Sequence, residues 1–185
     1  MLVKFLCSNN RGLRFSVCAA SVVHTFLFWR NWGMEIYRIA FIGHREIHGQ
    51  YHLEDRIEEI IREKLCSKDY VELYVGRNGD FDISVASAAK WAQEALGHQN
   101  SSLILLQPYP MKGDPDYARF YDEIAYPVDP KTHPKAAITK RNQWMIDHAD
   151  LLIAYVEDGR KGGALTTLQY AKKKNVEIIH FADNP

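Results

Sequence analysis

Long apolar runs are scarce in this 185-residue chain. The one extended stretch, residues 13–29 (LRFSVCAASVVHTFLFW), is broken by Arg14 and His24 and is shorter than the ~20 residues a spanning helix needs. No small-x-small cleavage site follows it, and Phe15-Ser16-Val17 does not lead into Cys18 as a lipoprotein signal would. Cysteine is also sparse. Cys7, Cys18 and Cys66 have no metal-ligand spacing, and an odd count argues against a disulfide framework, so a reducing, cytoplasmic setting fits best. Net charge is absent: Lys+Arg and Asp+Glu each number 23. Because residues 1–33 contain Lys4, Arg11, Arg14 and Arg30 and no acid, the remainder holds 19 bases against 23 acids. That balance counts against a sequence-independent grip on a nucleic-acid backbone. No G-x-G-x-x-G and no G-K-[ST] occurs, which removes the dinucleotide fingerprint and the Walker A loop.

What is present is a globular composition, 46% apolar and 25% charged, which excludes a disordered or fibrous chain. The pattern changes abruptly at Gly33-Met34-Glu35, where a strand begins. The break predicts that Met34 is the native start and that residues 1–33 are an upstream extension. The alternatives are a weak anchor or cleaved signal, or a packed element. Residues 34–185 are then the functional domain, with no membrane segment.

From Met34 onward, apolar strands alternate with amphipathic helices. Ile36–Ile42, Tyr70–Val75, Ser102–Leu106, Leu151–Val156 and Val176–Phe181 are short, apolar and flanked by turn residues, as strands buried on both faces are. Helices are predicted at Leu53–Cys66, Ile83–Leu96, Pro134–His148 and Ala164–Lys174. In the first, Leu53, Ile57, Ile60, Ile61 and Leu65 mark one face. The alternation predicts an α/β, Rossmann-like three-layer sandwich whose mainly parallel sheet has five or six strands. The proline-rich stretch from Gln107 to Lys135 is an excursion, predicted to hold a short helix around Asp116–Glu123 and a short strand near Ile124–Tyr126. Such a segment is either a binding loop or a surface insertion.

Ligands of open α/β sheets sit beyond the carboxyl ends of the strands. Gly43-His44-Arg45-Glu46 follows the first strand, Gly76-Arg77-Asn78-Gly79-Asp80-Phe81-Asp82 the second, and a loop with Gly159, Gly162 and Gly163 the Leu151 strand. Glycine lets backbone N–H groups approach an anion, and a helix N-terminus adds partial positive charge. Any one of these loops reads equally as turn chemistry. Three together favour a phosphorylated ligand.

These residues carry a resemblance. FIGHREI (Phe41–Ile47), the Gly76–Asp82 loop, Arg141-Asn142 and GGALTTLQYA (Gly162–Ala171) together resemble the SLOG superfamily, which includes the DNA-processing SMF/DprA proteins and the LOG phosphoribohydrolases. The FIGHR opening is most similar to its YpsA-like branch. The resemblance spans about residues 36–183 and implies a nucleotide or nucleotide-derived ligand held by a sensor or regulatory protein. It leaves an N-glycosidic hydrolase and a DNA-processing interaction protein as alternatives. The LOG signature P-G-G-x-G-T-x-x-E is altered here: Lys161 stands for Pro, Leu165 for the third Gly and Gln169 for Glu. A neutral amide cannot act as a general base or offset oxocarbenium charge as a carboxylate does. Whether the chain is an enzyme is therefore left open.

The expected ligand-binding residues are Gly43, His44, Arg45, Gly76, Arg77, Asn78, Gly79, Asp82, Arg141, Asn142, Gly159, Gly162, Gly163, Thr166 and Thr167. Arg45 could clamp a phosphate or pair with Glu46. His44 could bond a ligand or cap a turn. Asp82 could read a ribose or cap the next helix. Arg141 and Asn142 are odd choices for a core-facing helix, and the resemblance brings an arginine in such a helix to the ligand phosphate. Thr166 and Thr167 could donate to a phosphate or simply open a helix. His44, His48 and His52 recur every four residues, but Gly49 argues against the helix that would align them, so no metal and no resident cofactor is expected. A homo-oligomer is compatible with the sequence.

Overall fold

Alternation along one strand sets the layering. In β1 (Ile36–Gly43), Ile39 and Phe41 join the core on one side of the sheet, Ala40 and Ile42 the core on the other, and all four are buried. The computed structural model describes residues 33–47, 52–77, 79–111, 118–157 and 159–181, and those from Glu35 onward belong to one compact unit. The expectations for residues 1–32, His48 and Asn78 fall outside the described residues.

After β1 come α1 (Leu53–Ser67), β2 (Tyr70–Val75), α2 (Asp80–Leu96), a 3₁₀ turn, β3 (Ser101–Leu106) and β4 (Glu123–Ala125). Then follow α3 (Pro134–Asp147), β5 (Leu151–Tyr155), α4 (Gly163–Lys174) and β6 (Glu177–His180). The described strands form one six-stranded sheet in the order β4-β3-β2-β1-β5-β6, every neighbouring pair parallel. Helices cover both faces, giving a Rossmann-like α/β fold. Ile39 and Phe41 pack with Leu53, Ile57, Ile61 and Leu65 of α1 and with the alanine-rich face of α2. Ala40 and Ile42 pack with Met145 and Ile146 of α3 and with Leu168 and Ala171 of α4.

Local chemistry fixes the helix ends. Glu54 and Asp55 in the first turn of α1 complement its dipole. Pro134 opens α3, where its missing N–H costs nothing, and His133 Nδ1 accepts from the Lys135 N–H at 3.2 Å. Lys172, Lys173 and Lys174 close α4, and Asn175 stops it in the left-handed region at φ 55°.

Three expectations are adjusted. Helix α2 starts at Asp80 rather than Ile83, with Gly79 as its cap, so Asp82 lies inside the first turn and is not the N-cap. Residues 118–122 form a turn and bend instead of the end of a short helix, residues 116–117 of that helix falling outside the described residues. The extra strand is present one residue earlier than expected, at Glu123–Ala125, where Gln107 N–H donates to the Ala125 carbonyl at 2.9 Å.

Candidate functional site

The strand order reverses between β1 and β5, which lie side by side with Gly43 opposite Tyr155. A crevice opens at such a point, because the crossovers leave it in opposite directions. Close packing builds its floor. A Cβ on Gly43 would lie 2.3 Å from Cγ of Phe81, so only glycine lets α2 press against the end of β1. A Cβ on Gly79 would come within 2.8 Å of the Arg45 Cα. That close approach lets the Asp80 N–H donate to the Arg45 carbonyl at 2.7 Å, while Asp80 Oδ2 accepts from the Ile47 N–H at 3.3 Å. The loop after β1 is thereby pinned over the start of α2.

The loop after β5 is tied to the same point. The Glu157 N–H donates to Nε2 of His44 at 3.0 Å, which puts the imidazole proton on Nδ1 in the neutral ring. Tyr155 Oη donates to one Glu157 carboxylate oxygen at 2.9 Å and Arg160 Nη1 to the other at 3.2 Å. The same Nη1 donates to the Glu46 carbonyl at 3.0 Å, joining the two loops again. Burial pushes the His44 pKa down and Arg160 adds to that, against an opposing pull from Glu157. The Tyr155 and Arg160 hydrogen bonds hold the Glu157 carboxyl below the usual carboxylate range.

Above this frame lies a cleft of about 350 Å³. From the sequence-derived set, Gly43, His44, Arg45, Arg77, Asp82, Arg141, Asn142, Gly162 and Gly163 line it. Gly76 stands just behind. The Cβ it lacks would lie 2.9 Å from Asp82 Oδ2 and 3.1 Å from Arg141 Nη1, so its bare backbone leaves room for that carboxylate and guanidinium to converge. Burial lowers the Arg141 pKa and the Asp82 charge opposes it. Arg141 Nε is buried with no hydrogen-bond partner. Arg45 is exposed and, among the described residues, makes no ion pair with Glu46 or any other acid.

Asn142 is only 6% exposed. Its Nδ2 donates to Thr167 Oγ1 at 2.9 Å, and Thr167 Oγ1 in turn donates to the Gly163 carbonyl at 2.8 Å. Since the hydroxyl proton is committed, the amide must face it with nitrogen, and Asn142 Oδ1 is left buried without a donor. Two adjacent residues of the cleft wall, Arg141 and Asn142, therefore each keep an unmet polar atom. Helix α4 begins at the cleft with no side-chain cap and no acid in its first turn, and a Cβ at Gly162 or Gly163 would meet nothing within 4 Å. Its first N–H groups have no intrahelical acceptor.

The fold separates other expected residues from the cleft. Thr166 and Thr167 donate back to the carbonyls of Gly162 (3.1 Å) and Gly163 (2.8 Å), and line a different groove, between α3 and α4. Gln169 lies in that second groove as well. Gly159 holds a turn at φ 77°, with open space around it. Among the described residues no group of three or more His, Cys, Asp or Glu could hold a metal. Sequence reading missed Gln107, Tyr109, Met111, Ile138, Arg160 and Lys161, all of which line the cleft. The cations of Gly159–Gly163 and the irregularity of the 107–135 stretch were the available signals. A neighbouring depression beside Ile47, His52, Glu54, Asp55 and Asp80 offers acids instead of cations.

Comparison of the fold with solved structures finds DNA processing protein A from Helicobacter pylori, studied for its single-stranded DNA binding, at a TM-score of 0.55 and 18% identity. The match covers 78% of this chain and 64% of that one. The chain carries a Rossmann-like α/β fold, similar to the fold of that protein. It thus spans somewhat under two thirds of the length of that neighbour. The molybdenum cofactor carrier protein from Chlamydomonas reinhardtii is more distant, at a TM-score of 0.46 and 11% identity, covering 80% of this chain and 78% of that one. No protein-family profile and no curated protein sequence matches the chain. Among the described residues no helix is long and apolar enough to cross a membrane.

Proposed function

We propose that the cleft binds a nucleotide or nucleotide-derived ligand, with its phosphate at the start of α4, in a sensor or regulatory protein akin to the YpsA-like branch of the SLOG superfamily. One observation carries this reading. Arg45, Arg141 and Lys161 meet the uncapped N-terminus of α4 in a cleft where Asp82 is the sole lining carboxylate among the described residues. Backbone N–H groups and the helix dipole favour an anion there, and guanidinium groups add charge-assisted bonds. The unmet polar atoms of Arg141 and Asn142 supply a second, independent support, since buried polar groups are ordinarily satisfied.

Hydrolysis of the LOG kind has less behind it: Gln169 is neutral and lies in the groove between α3 and α4. DNA binding draws on the fold of the Helicobacter pylori neighbour and is opposed by the acid excess of residues 34–185. Calorimetric titration with AMP, ADP, adenosine, inorganic phosphate and a thymidine oligonucleotide separates these readings. Phosphorylated nucleosides are expected to bind, with inorganic phosphate competing and adenosine much weaker. Tight binding of the oligonucleotide alone would favour the DNA reading, and release of free adenine would favour the hydrolase.

A further inference from the structure

The cleft lining is mixed in chemistry. Beside the cations described above it has an apolar part. This consists of Pro108, Tyr109 and Met111 from the segment after β3 and Ile138 of α3, one helical turn from Arg141. Tyr109 is 41% exposed and Ile138 50%, and the two border the same cavity, so their apolar surfaces lie open to whatever fills it. The shelf is firmly based, because the adjoining Gln107 is fully buried and its N–H is bonded to Ala125 of β4. A phosphate or a bare sugar phosphate gives such a surface nothing to cover. A planar base does, through stacking.

The charge balance narrows the other end. Among the described residues five cations line the cleft, and Arg160 is already shared between Glu157 and Glu46. Of the others, Arg45, Arg141 and Lys161 stand against Asp82, the one carboxylate among the described lining residues. That excess, with the α4 N-terminus added, exceeds the charge of about −1.5 to −2 that one phosphate monoester carries.

Resting on the ligand reading above, we propose that the cleft is built for a nucleoside 5′-diphosphate. The base lies on the Tyr109–Ile138 shelf, and the two phosphates lie between the start of α4 and Arg45, Arg141 and Lys161. A second phosphate uses cations that a monophosphate leaves unmatched, and the shelf makes the base more than a passive substituent.

The test is calorimetry with ADP, GDP and UDP against AMP, GMP and UMP, and with pyrophosphate as the base-free probe, on the full chain. At least one diphosphate is expected to bind about tenfold or more tightly than its matched monophosphate. Tyr109→Ala should weaken that diphosphate by about tenfold, the loss of one stacked base, and leave pyrophosphate unchanged. Tyr109→Phe should restore the affinity, which separates stacking from misfolding. Equal affinities for matched mono- and diphosphates would overturn the proposal while sparing the ligand reading. So would a Tyr109→Ala effect that is absent, or equally large for pyrophosphate. If no phosphorylated compound binds, the ligand reading itself fails and this proposal goes with it.

Discussion

His44 Nε2 accepts the backbone N–H of Glu157 at 3.0 Å, a bond between residues 113 positions apart that joins the carboxyl ends of β1 and β5. It spans the point where the strand order reverses, so the crevice and its lock are formed by the same pair.

This bond makes stability depend on pH in a defined direction. The His44 pKa is lowered in the folded state, chiefly by burial. The unfolded chain therefore takes up a proton first as pH falls. The stabilisation is complete above the unfolded histidine value of about 6.5 and is lost as pH drops toward the folded value. The Glu157 pKa is depressed from the ordinary carboxylate range, so that carboxyl stays ionised from pH 7.5 to 5.5. His44→Gln retains a side-chain acceptor without the titration. Melting temperatures from pH 7.5 to 5.5 should fall less steeply in His44→Gln than in wild type, and parallel curves would reject the assignment.

Gly43→Ala should destabilise the domain by about 1–3 kcal/mol, because the new methyl group meets the Phe81 ring at 2.3–2.7 Å and the two cannot coexist without backbone movement. Urea denaturation midpoints measure this. A midpoint equal to wild type would mean that α2 is not held against β1 as described.

Gly163→Val is the contrasting case. Apart from its chain neighbours and its own helix turn, no described residue lies within 4 Å of the Cβ that would be added, so the fold has space for it. The side chain instead obstructs the start of α4. Ligand affinity should fall by about tenfold or more, while the cost to folding stays below about 1 kcal/mol, the range of helix propensities. Unchanged affinity by calorimetry would remove α4 from the site.

Arg45→Ala and Arg141→Ala should each weaken ligand binding by roughly tenfold to a hundredfold, the worth of one charge-assisted hydrogen bond. Their effects on folding should differ. Arg45 is exposed with no ion pair among the described residues, so its loss should cost less than about 0.5 kcal/mol. Arg141 is buried at Nε and sits beside Asp82, so its removal should cost about 1–3 kcal/mol as well. Chemical denaturation beside calorimetry separates the two effects; equal stability losses in both variants would contradict the different burial of the two side chains.

The order of strands and helices was legible in the sequence because burial on both faces makes a parallel strand a short apolar run, and half-burial gives a helix such as α1 its stripe of Leu53, Ile57, Ile61 and Leu65. The glycine and arginine loops could be placed at strand ends for the same reason: in a βαβ chain, whatever follows a strand lies at one edge of the sheet. Sequence periodicity carries no information about side chains brought together from distant segments. Tertiary structure alone decided that Asp82 and Arg141 converge over Gly76, and that Tyr109 and Lys161 border the same cleft. It also decided that the hydroxyls of Thr166 and Thr167 turn back onto their own helix, since the carbonyl four residues earlier lies within reach only once α4 is wound. Local pattern set each element, and the reversal of strand order between β1 and β5 chose which of their ends would border one cleft.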